Sequence, residues 1–215
     1  AGLSHSTALK TDGTIWTWGY NSTGQLGDGT TTNRSSPVQV GGLTTWASIS
    51  GAAGGQHTTG IKTDGTIWKW GYAALGIMGD GGTTNRSSPV QVGALTSGAK
   101  AATGGHHTLA IKTDGTLWGW GRNNLGMVGD STNTNRSSPV QVGALTTWAS
   151  VSAGKVHSTA LKTDGTIWTW GYGGHGELGD GSTAIRNSPV QVGSSTDWVS
   201  VVGSEYLSTA LTNGE

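Results

Sequence analysis

Four histidines recur along this sequence at a nearly constant spacing, and histidine is a common ligand of metal ions. They lie 52, 50 and 50 residues apart, at His5, His57, His107 and His157. In a ring of equivalent repeats they could meet around the axis and bind a metal. Each is nevertheless followed four residues later, on the same strand face, by an apolar residue such as Leu9 or Ile61. This pattern favours a structural role, in which the histidine donates to a buried backbone carbonyl between repeats. We predict neither a metal nor a cofactor.

Two sets of aspartates repeat with the same spacing. The first precedes glycine in an Asp-Gly pair, which is typical of tight turns between strands, at Asp12, Asp64, Asp114 and Asp164. The second lies in glycine-rich loops, at Asp28, Asp80, Asp130 and Asp180. Calcium is an alternative there, with further oxygen ligands from Asn33, Asn85 and Asn135, but one carboxylate per loop is few for calcium. We expect these aspartates to pair with arginines six residues further on, at Arg34, Arg86, Arg136 and Arg186.

The residues do not form a recognisable catalytic set. The chain contains no cysteine, no serine in a nucleophile elbow and no phosphate-binding loop at the start of a helix. The histidines and carboxylates are mostly explained by the repeat. We therefore predict that the protein is not an enzyme.

Composition excludes further classes of function. Twelve basic residues balance 12 acidic ones among 215, so the electrostatic signature of a nucleic-acid binder is missing. No apolar run approaches the ~20 residues that span a bilayer, and Ala1 leads directly into the first repeat without a signal peptide. We expect a soluble chain that binds neither nucleic acid nor membrane. Its compartment stays undetermined, with a slight lean toward an extracellular or virion surface.

Each repeat is a series of strands. The pattern within a repeat has period two, because in the first hairpin arm His5, Thr7 and Leu9 share one face and Ser6, Ala8 and Lys10 share the other. An Asp-Gly turn then leads into a second arm, Ile-Trp-x-Trp-Gly. A Ser-Pro-Val-Gln-Val segment predicts a third strand, and residues 46–50 predict a fourth.

Four short strands in ~50 residues are typical of a β-propeller blade. We predict an all-β propeller whose repeats span 5–56, 57–106, 107–156 and 157–206, with a partial fifth at 207–215, in one domain covering 1–215. Each complete repeat is expected to form one four-stranded blade, with tryptophans filling the gap between blades. A parallel β-solenoid is the alternative. We expect a closed ring or an arc completed by another chain. In a closed four-bladed ring, residues 5–10 and 207–211 would compete for one place, which indicates either that the chain was cut from a longer array or that it closes through a second copy.

The repeat resembles the regulator of chromosome condensation family. The resemblance rests on His-x-x-x-Leu-Lys-x-Asp-Gly-x-Ile-Trp-x-Trp-Gly, on the loop Gly24-Gln25-Leu26-Gly27-Asp28-Gly29, and on Ser-Pro-Val-Gln-Val. It covers essentially the whole chain. Members are usually seven-bladed propellers that act as binding platforms, so the resemblance implies a propeller and a binding role. The wedge-like hairpin of the family's founding nucleotide exchange factor has no counterpart in any repeat here.

The repeats differ most in the loop that follows Trp-Gly. Equivalent loops must emerge on one side of a ring, and Tyr, Arg, Asn and His are residue types that anchor interfaces. We therefore predict a partner-binding rim at Tyr20, Asn21, Tyr72, Leu75, Arg122, Asn123, Asn124, Tyr172 and His175. The partner is expected to be a protein or a glycan. Neutral variation of an exposed loop remains open, as do a self-associating structural module, in which a homo-oligomer completes the ring, and a carbohydrate-binding propeller.

Overall fold

The computed structural model describes residues 2, 4–52 and 54–212. Three strands form the first sheet: β1 (His5–Leu9), β2 (Ile15–Gly19) and β3 (Arg34–Gln39). Four form the second: β4 (Trp46–Gly51), β5 (His57–Lys62), β6 (Ile67–Gly71) and β7 (Arg86–Gln91). Four form the third: β8 (Gly98–Thr103), β9 (His107–Lys112), β10 (Leu117–Gly121) and β11 (Arg136–Gln141). Four form the fourth: β12 (Trp148–Ala153), β13 (His157–Lys162), β14 (Ile167–Gly171) and β15 (Arg186–Gln191). Two form the last: β16 (Trp198–Gly203) and β17 (Ser208–Thr212). Within the described part of the chain, one 3-10 turn lies at Ala74–Gly76.

The all-β propeller-type architecture is confirmed, but the predicted division of strands among blades is wrong. The fourth strand of each repeat does not complete its own sheet; β4 pairs with β5 of the next hairpin instead. The described residues therefore form three four-stranded sheets, preceded by a three-stranded sheet and followed by a two-stranded one. No described strand of the first sheet pairs with the last sheet, so the sheets form an open arc.

The Asp-Gly pairs form the predicted turns between the first two strands of each sheet. In the first turn, Asp12 accepts hydrogen bonds from the backbone N–H of Thr14 at 3.0 Å and from its hydroxyl at 2.6 Å. The Nε1–H of Trp16 in turn donates to that hydroxyl oxygen at 3.0 Å. Gly13 has φ +77, and a Cβ there would lie 2.1 Å from the carbonyl oxygen of Thr44. Glycine is therefore required both for the backbone conformation and for the close approach.

Tryptophan fills the junctions, which are the contacts between successive sheets. Trp70 is fully buried against Ile15, Val40 and Trp46. A Cβ on Gly27 would lie only 2.6 Å from its indole nitrogen, so the loop of one sheet packs directly on the ring of the next. Trp120 and Trp170 repeat this arrangement at the following junctions. The predicted inter-blade core is thus confirmed at these positions.

The first sheet departs from that prediction. The sequence pattern predicts both Trp16 and Trp18 between blades. Trp16 is partly buried, as are its equivalents Trp68, Trp118 and Trp168 in the other sheets. Trp18 is also only partly buried, whereas its equivalents Trp70, Trp120 and Trp170 are fully buried. The physical reason is positional: no described sheet precedes the first one, so the loop that covers Trp70, Trp120 and Trp170 has no counterpart over Trp18.

Candidate interaction rim

One end of the arc collects the most variable parts of the chain. Register pairs His57 directly with Gly71, so the connection before each hairpin and the loop after it emerge at the same end. The backbone joins them, because the N–H of Tyr72 donates to the carbonyl of Gln56 at 2.9 Å. We call this end the rim; its loops are 20–33, 72–85, 122–135 and 172–185, and its connections are 54–56, 104–106, 154–156 and 204–207.

Buried ion pairs hold the rim loops in shape. The Asp28 carboxylate is almost completely buried and bonds to Arg34 at 2.7 Å. The equivalent pairs occur in the other three loops, which confirms the predicted Asp–Arg pairing. Burial alone would raise the pKa of Asp28, but hydrogen bonds from Thr30 and from Arg34 outweigh it, so the pKa lies below its ordinary value. These carboxylates are therefore occupied in fixing the loops.

Asparagine stabilises two of the four loops from inside. The Asn123 side chain is fully buried and donates to Asp130 at 2.9 Å and to the carbonyl of Thr132 at 3.1 Å. Its oxygen accepts from the N–H of Val128 at 2.9 Å. Asn21 occupies the same position in the first loop. The asparagines considered as calcium ligands are also used by the backbone, since Asn33, Asn85 and Asn135 accept from the N–H of residues 21, 73 and 123.

The structure divides the predicted rim residues into two groups. The assignment of Asn21 and Asn123 to a partner is corrected, because both side chains are buried and hydrogen-bonded within their own loops. The remaining seven are accessible. Tyr72, Arg122 and Tyr172 are partly exposed, and the others are exposed at Tyr20, Leu75, Asn124 and His175.

Part of the rim forms a continuous strip of aromatic and charged side chains. Tyr72 contacts His106 with ring centroids 6.4 Å apart, and Arg122 donates to Asn124 at 2.7 Å. The charges of Arg122 and Lys155 also act on His106.

Further along the strip, Lys155 lies over the Tyr206 ring at 5.2 Å and pairs with Glu205. His175 then joins Tyr206 to Tyr172, with centroid distances of 5.9 and 5.5 Å. We call this set the rim strip: Tyr72, His106, Arg122, Asn124, Lys155, Tyr172, His175, Glu205 and Tyr206.

Four members of the rim strip were missed by the sequence analysis: His106, Lys155, Glu205 and Tyr206. All four come from the short connections before the hairpins rather than from the loops after Trp-Gly. The repeats differ there too, with Gln56, His106, Val156 and Tyr206 at one equivalent position. Comparing the repeats at both ends of each hairpin would have found them.

The rim has a net basic character around His106. Burial lowers the pKa of His106, and the nearby charges of Arg122 and Lys155 lower it further. Glu205 raises the pKa of Lys155 by a side-chain hydrogen bond, which favours its charged form. The strip therefore presents the cations Arg122 and Lys155, with the Glu205 carboxylate paired to Lys155.

One rim residue has an unfavourable backbone. Leu75 has φ +63, a left-handed conformation that is rare for leucine, and its side chain is 42% exposed. Such conformations cost of order 1–3 kcal/mol and concentrate at binding sites. The exposed apolar side chain on a rigid, strained turn adds to the features that suit an interface.

The repeated histidines form a buried relay at the junctions. His5 Nε2 lies 2.9 Å from the Thr58 hydroxyl, which itself donates to the carbonyl of Gln25 at 3.0 Å. The predicted carbonyl acceptor is thus reached through a hydroxyl of the next sheet, not directly. His107 and His157 bond to Ser158 and Ser208 in the same way.

The second junction breaks this relay. The Nζ of Lys69 donates hydrogen bonds to the carbonyl of Ile77, at 2.7 Å, and to the hydroxyl of Thr108. His57, which is fully buried, keeps no hydrogen-bond partner on either ring nitrogen. Lys69 therefore replaces a histidine relay by a buried amine.

Among residues 2, 4–52 and 54–212, no group of three or more histidine or acidic side chains is placed to hold a metal ion. Over the same residues, no helix has the length and apolar character needed to cross a membrane.

Solved structures place the chain among known propellers. It superposes on human WBSCR16 with a TM-score of 0.87 at 22% identity, covering 100% of this chain and 57% of that one. Prp20p from Saccharomyces cerevisiae gives a TM-score of 0.81 at 22% identity, with 97% and 54% covered. At this identity the likeness establishes the fold alone.

Sequence similarity identifies the family of the chain in addition to its fold. The "Protein RCC2 homolog" of Danio rerio is 35% identical over 82 residues, which are 38% of this chain and 17% of that protein. The chain thus matches only a small part of this relative, and the relatives give no support to an extracellular or virion location. The family model "Regulator of chromosome condensation (RCC1) repeat" matches residues 12–61, 64–111, 114–161 and 164–211. The chain therefore belongs to the RCC1 repeat family.

Proposed function

We propose that this chain is a non-catalytic binding platform that engages a protein through the rim strip. The observation that carries the proposal is the strip itself, a continuous run of partly or fully exposed tyrosine, histidine, arginine and lysine on rigid loops. Tyrosine and arginine are enriched among residues that dominate binding energy. Because buried ion pairs fix the loops beneath them, these side chains lose little freedom on binding.

The charge of the strip suggests an acidic partner surface. Arg122 and Lys155 both act on His106, and Glu205 is the only acidic member of the strip. Complementary charge accelerates association and makes it sensitive to salt. Prp20p is described by its binding to Gsp1p and to histones, which supports protein binding as a use of this fold.

A glycan partner has less support. Sugar recognition by stacking needs exposed aromatic rings, and the tryptophans Trp70, Trp120 and Trp170 are fully buried in the junctions. The partly exposed Tyr72 and Tyr172 lie edge-on to His106 and His175 instead. We therefore place protein ahead of glycan.

The test compares one rim variant with one control. The rim variant carries Tyr72→Ala, Arg122→Ala, Tyr172→Ala and Tyr206→Ala. The control carries Leu43→Ala and Leu145→Ala, two exposed apolar residues in loops near the opposite, turn end of the sheets. Both are probed with a displayed library of natural protein fragments and with a glycan array.

We expect the native chain and the control to select acidic fragments, with affinity that falls as salt is raised. The rim variant should lose that binding by at least tenfold while its melting temperature stays within a few degrees of the native one. Equal binding by the rim variant, or a signal on the glycan array alone, would contradict the proposal.

A further inference from the structure

One position of the repeat holds tryptophan in the second and fourth sheets and glycine in the third. β4 begins with Trp46 and β12 with Trp148, whereas β8 begins with Gly98. The three positions are equivalent in register, because each directly opposes the lysine that ends the next strand, at Lys62, Lys162 and Lys112. The third sheet therefore lacks an indole that its two neighbours have.

In the second and fourth sheets this indole lies beside a lysine and another tryptophan. The Nζ of Lys62 is 3.6 Å from the ring centroid of Trp68 and 5.5 Å from that of Trp46. The two rings meet edge to face with centroids 6.3 Å apart. The fourth sheet has the same arrangement, with distances of 3.7, 5.3 and 6.1 Å, at Lys162, Trp168 and Trp148. The position is thus built to contact an aromatic ring.

Without the indole, the lysine of the third sheet is arranged differently. The Nζ of Lys112 lies 5.5 Å from the ring centroid of Trp118 and pairs with Asp114 at 3.1 Å. The Asp114 side chain is about half exposed, and ion pairs in water contribute little to stability. An aromatic ring at the missing position would offer Lys112 the contact that its equivalents make.

A leucine adapts to the missing indole. Leu43 and Leu145 are 44% and 46% exposed, but the equivalent Leu95 is only 9% exposed. Leu95 packs in a buried cluster with Ile67 and Trp120. In the second and fourth sheets the corresponding apolar cluster is covered by tryptophan. Leu95 replaces part of that cover, but it does not supply a ring.

A pocket of about 410 Å³ stays open beside Leu95. We call it the third-sheet pocket; its lining includes Leu95, Lys112, Trp118, Ser138 and Pro139. Its volume falls within the roughly 300–1,000 Å³ of small-molecule sites, which are mostly apolar with a few polar groups. Apolar cavities left by missing side chains are known to take up small aromatic molecules.

The third-sheet pocket lies away from the rim. Register pairs His107 with Gly121 at the rim end of the third sheet, and Ile111 with Leu117 at the other end. Lys112 and Trp118 flank this second pair, next to the Asp-Gly turn. A ligand in the pocket therefore leaves the rim strip accessible.

We propose that the third-sheet pocket binds a small neutral aromatic molecule of the indole class. The bicyclic ring packs against Trp118 and below Lys112, as the chain's own indole does at the equivalent positions. Burial of the ring supplies most of the affinity. The edge-to-face contact with Trp118 and the cation–π contact with Lys112 favour an aromatic over an aliphatic ligand.

The test uses indole itself as the probe. The Nε1–H of Trp118 donates to the hydroxyl of Thr116 at 2.9 Å, so its NMR resonance comes from a fixed ring and reports on a ligand beside it. We expect indole to shift this resonance saturably. Cyclohexanol, an aliphatic ring, should bind at least tenfold more weakly. No shift of the Trp118 resonance up to the solubility limit of indole would overturn the proposal.

Gly98→Trp restores the missing side chain and should weaken indole binding at Trp118 at least tenfold. A Cβ at Gly98 would lie 2.7 Å from the Cγ1 of Ile67, so that side chain has to move. Ile15 and Leu117 occupy the place of Ile67 in clusters that do contain the tryptophan. A folded Gly98→Trp variant with native affinity for indole would contradict the assignment of the site.

A second pair of variants locates the pocket without disturbing Ile67. Ala94 is an exposed residue of the pocket wall, and Ala94→Trp tethers an indole there that competes with the free one. Ala144, the equivalent residue before Trp148, is also exposed. Ala94→Trp should weaken indole binding at Trp118 at least tenfold, and Ala144→Trp should leave it unchanged. Equal effects of the two variants would overturn the proposal.

The rim variant carrying Tyr72→Ala, Arg122→Ala, Tyr172→Ala and Tyr206→Ala should bind indole as the native chain does. Ala94→Trp should in turn retain the binding of acidic fragments. The two sites can therefore fail separately. Loss of indole binding in the rim variant would place the indole site at the rim and contradict this inference.

Discussion

At the scale of single residues, the junctions show how one substitution alters a repeated network. In three repeats a histidine, a hydroxyl and a backbone carbonyl form a closed set of hydrogen bonds. Thr17 and Thr169 stand where the second repeat has Lys69, and both donate to a loop carbonyl, at 2.7 and 2.8 Å. The longer Lys69 side chain donates to the hydroxyl of Thr108, with which His57 would otherwise form a hydrogen bond.

Replacing Lys69 with threonine should therefore stabilise the protein. Lys69→Thr removes a buried amine and frees Thr108 to bond to His57, and relief of an unpartnered buried group is worth about 1–3 kcal/mol. We expect a higher urea midpoint at pH 7. Lys10→Thr, at an exposed position in the first hairpin, is the control and should change stability by less than about 0.5 kcal/mol.

The pH dependence separates this cause from simple repacking. Burial lowers the pKa of Lys69 well below its ordinary 10.5. At pH values between the lowered native pKa of Lys69 and 10.5, the unfolded chain binds a proton that the native chain does not. The free energy of unfolding therefore rises with pH and reaches its full value only above pH 10.5. Lys69→Thr should remove that rise. A variant with the same slope between pH 8 and 10 would show that Lys69 is not the titrating group.

At the scale of elements, the rim loops combine a shared frame with variable tips. Asp28 and Arg34 and their equivalents occur in all four loops, whereas the buried asparagine occurs only at Asn21 and Asn123. Ala73 and Gly173 stand at the same place in the other loops. The frame therefore tolerates the loss of the asparagine, but a loop built around one depends on it.

Asn123→Ala should destabilise the protein without touching the rim surface. The side chain makes hydrogen bonds to three residues of its own loop, Asp130, Thr132 and Val128, and truncation leaves buried groups without partners. We expect a loss of about 1–3 kcal/mol, measured by urea unfolding. Asn124→Ala, its exposed neighbour, should change stability by less than about 0.5 kcal/mol. Equal effects at both positions would contradict the assignment of Asn123 to the loop interior.

The sequence could predict the elements better than their grouping. Strands, Asp-Gly turns and Asp–Arg pairs follow from local patterns, and the structure has all of them. The local sequence pattern does not show which sheet residues 46–51 join, because strand pairing depends on residues far apart in the chain. In the structure they pair with the hairpin that follows them, not with the one before. The same limit applies at the rim. Asn21 resembles an exposed polar loop residue in sequence, and only the folded loop shows that Asp28 and Leu26 enclose it.

At the scale of the whole molecule, every junction between successive sheets contains a histidine held neutral. Burial lowers the pKa of His5 to about 4 and that of His107 to about 3. Burial also lowers the pKa of His57 and of His157, with Glu177 opposing the effect at His157. The contacts that hold the arc together thus share one titratable group, repeated at each step.

Acid should therefore open the arc before it affects the loops. Between a lowered native pKa and the ordinary 6.5, the unfolded chain binds protons that the native chain does not, so stability is complete above pH 6.5 and is lost as pH falls. Each fully neutral histidine contributes a slope of about 1.4 kcal/mol per pH unit. The carboxylates of Asp28, Asp80 and Asp130 in the rim loops have pKa values below 3.8 and stay ionised through most of this range.

The measurement is the urea midpoint from pH 7.5 down to 4.5 for the native chain and two variants. His107→Gln should lower stability at neutral pH, because its fit to Ser158 is poorer, yet flatten the slope by about one proton. Asn124→Ala, at an exposed rim position and without a titratable side chain, should leave the slope unchanged. If His107→Gln kept the native slope, the loss of stability in acid would come from groups outside the junctions, and the repeated histidines would act only through their packing.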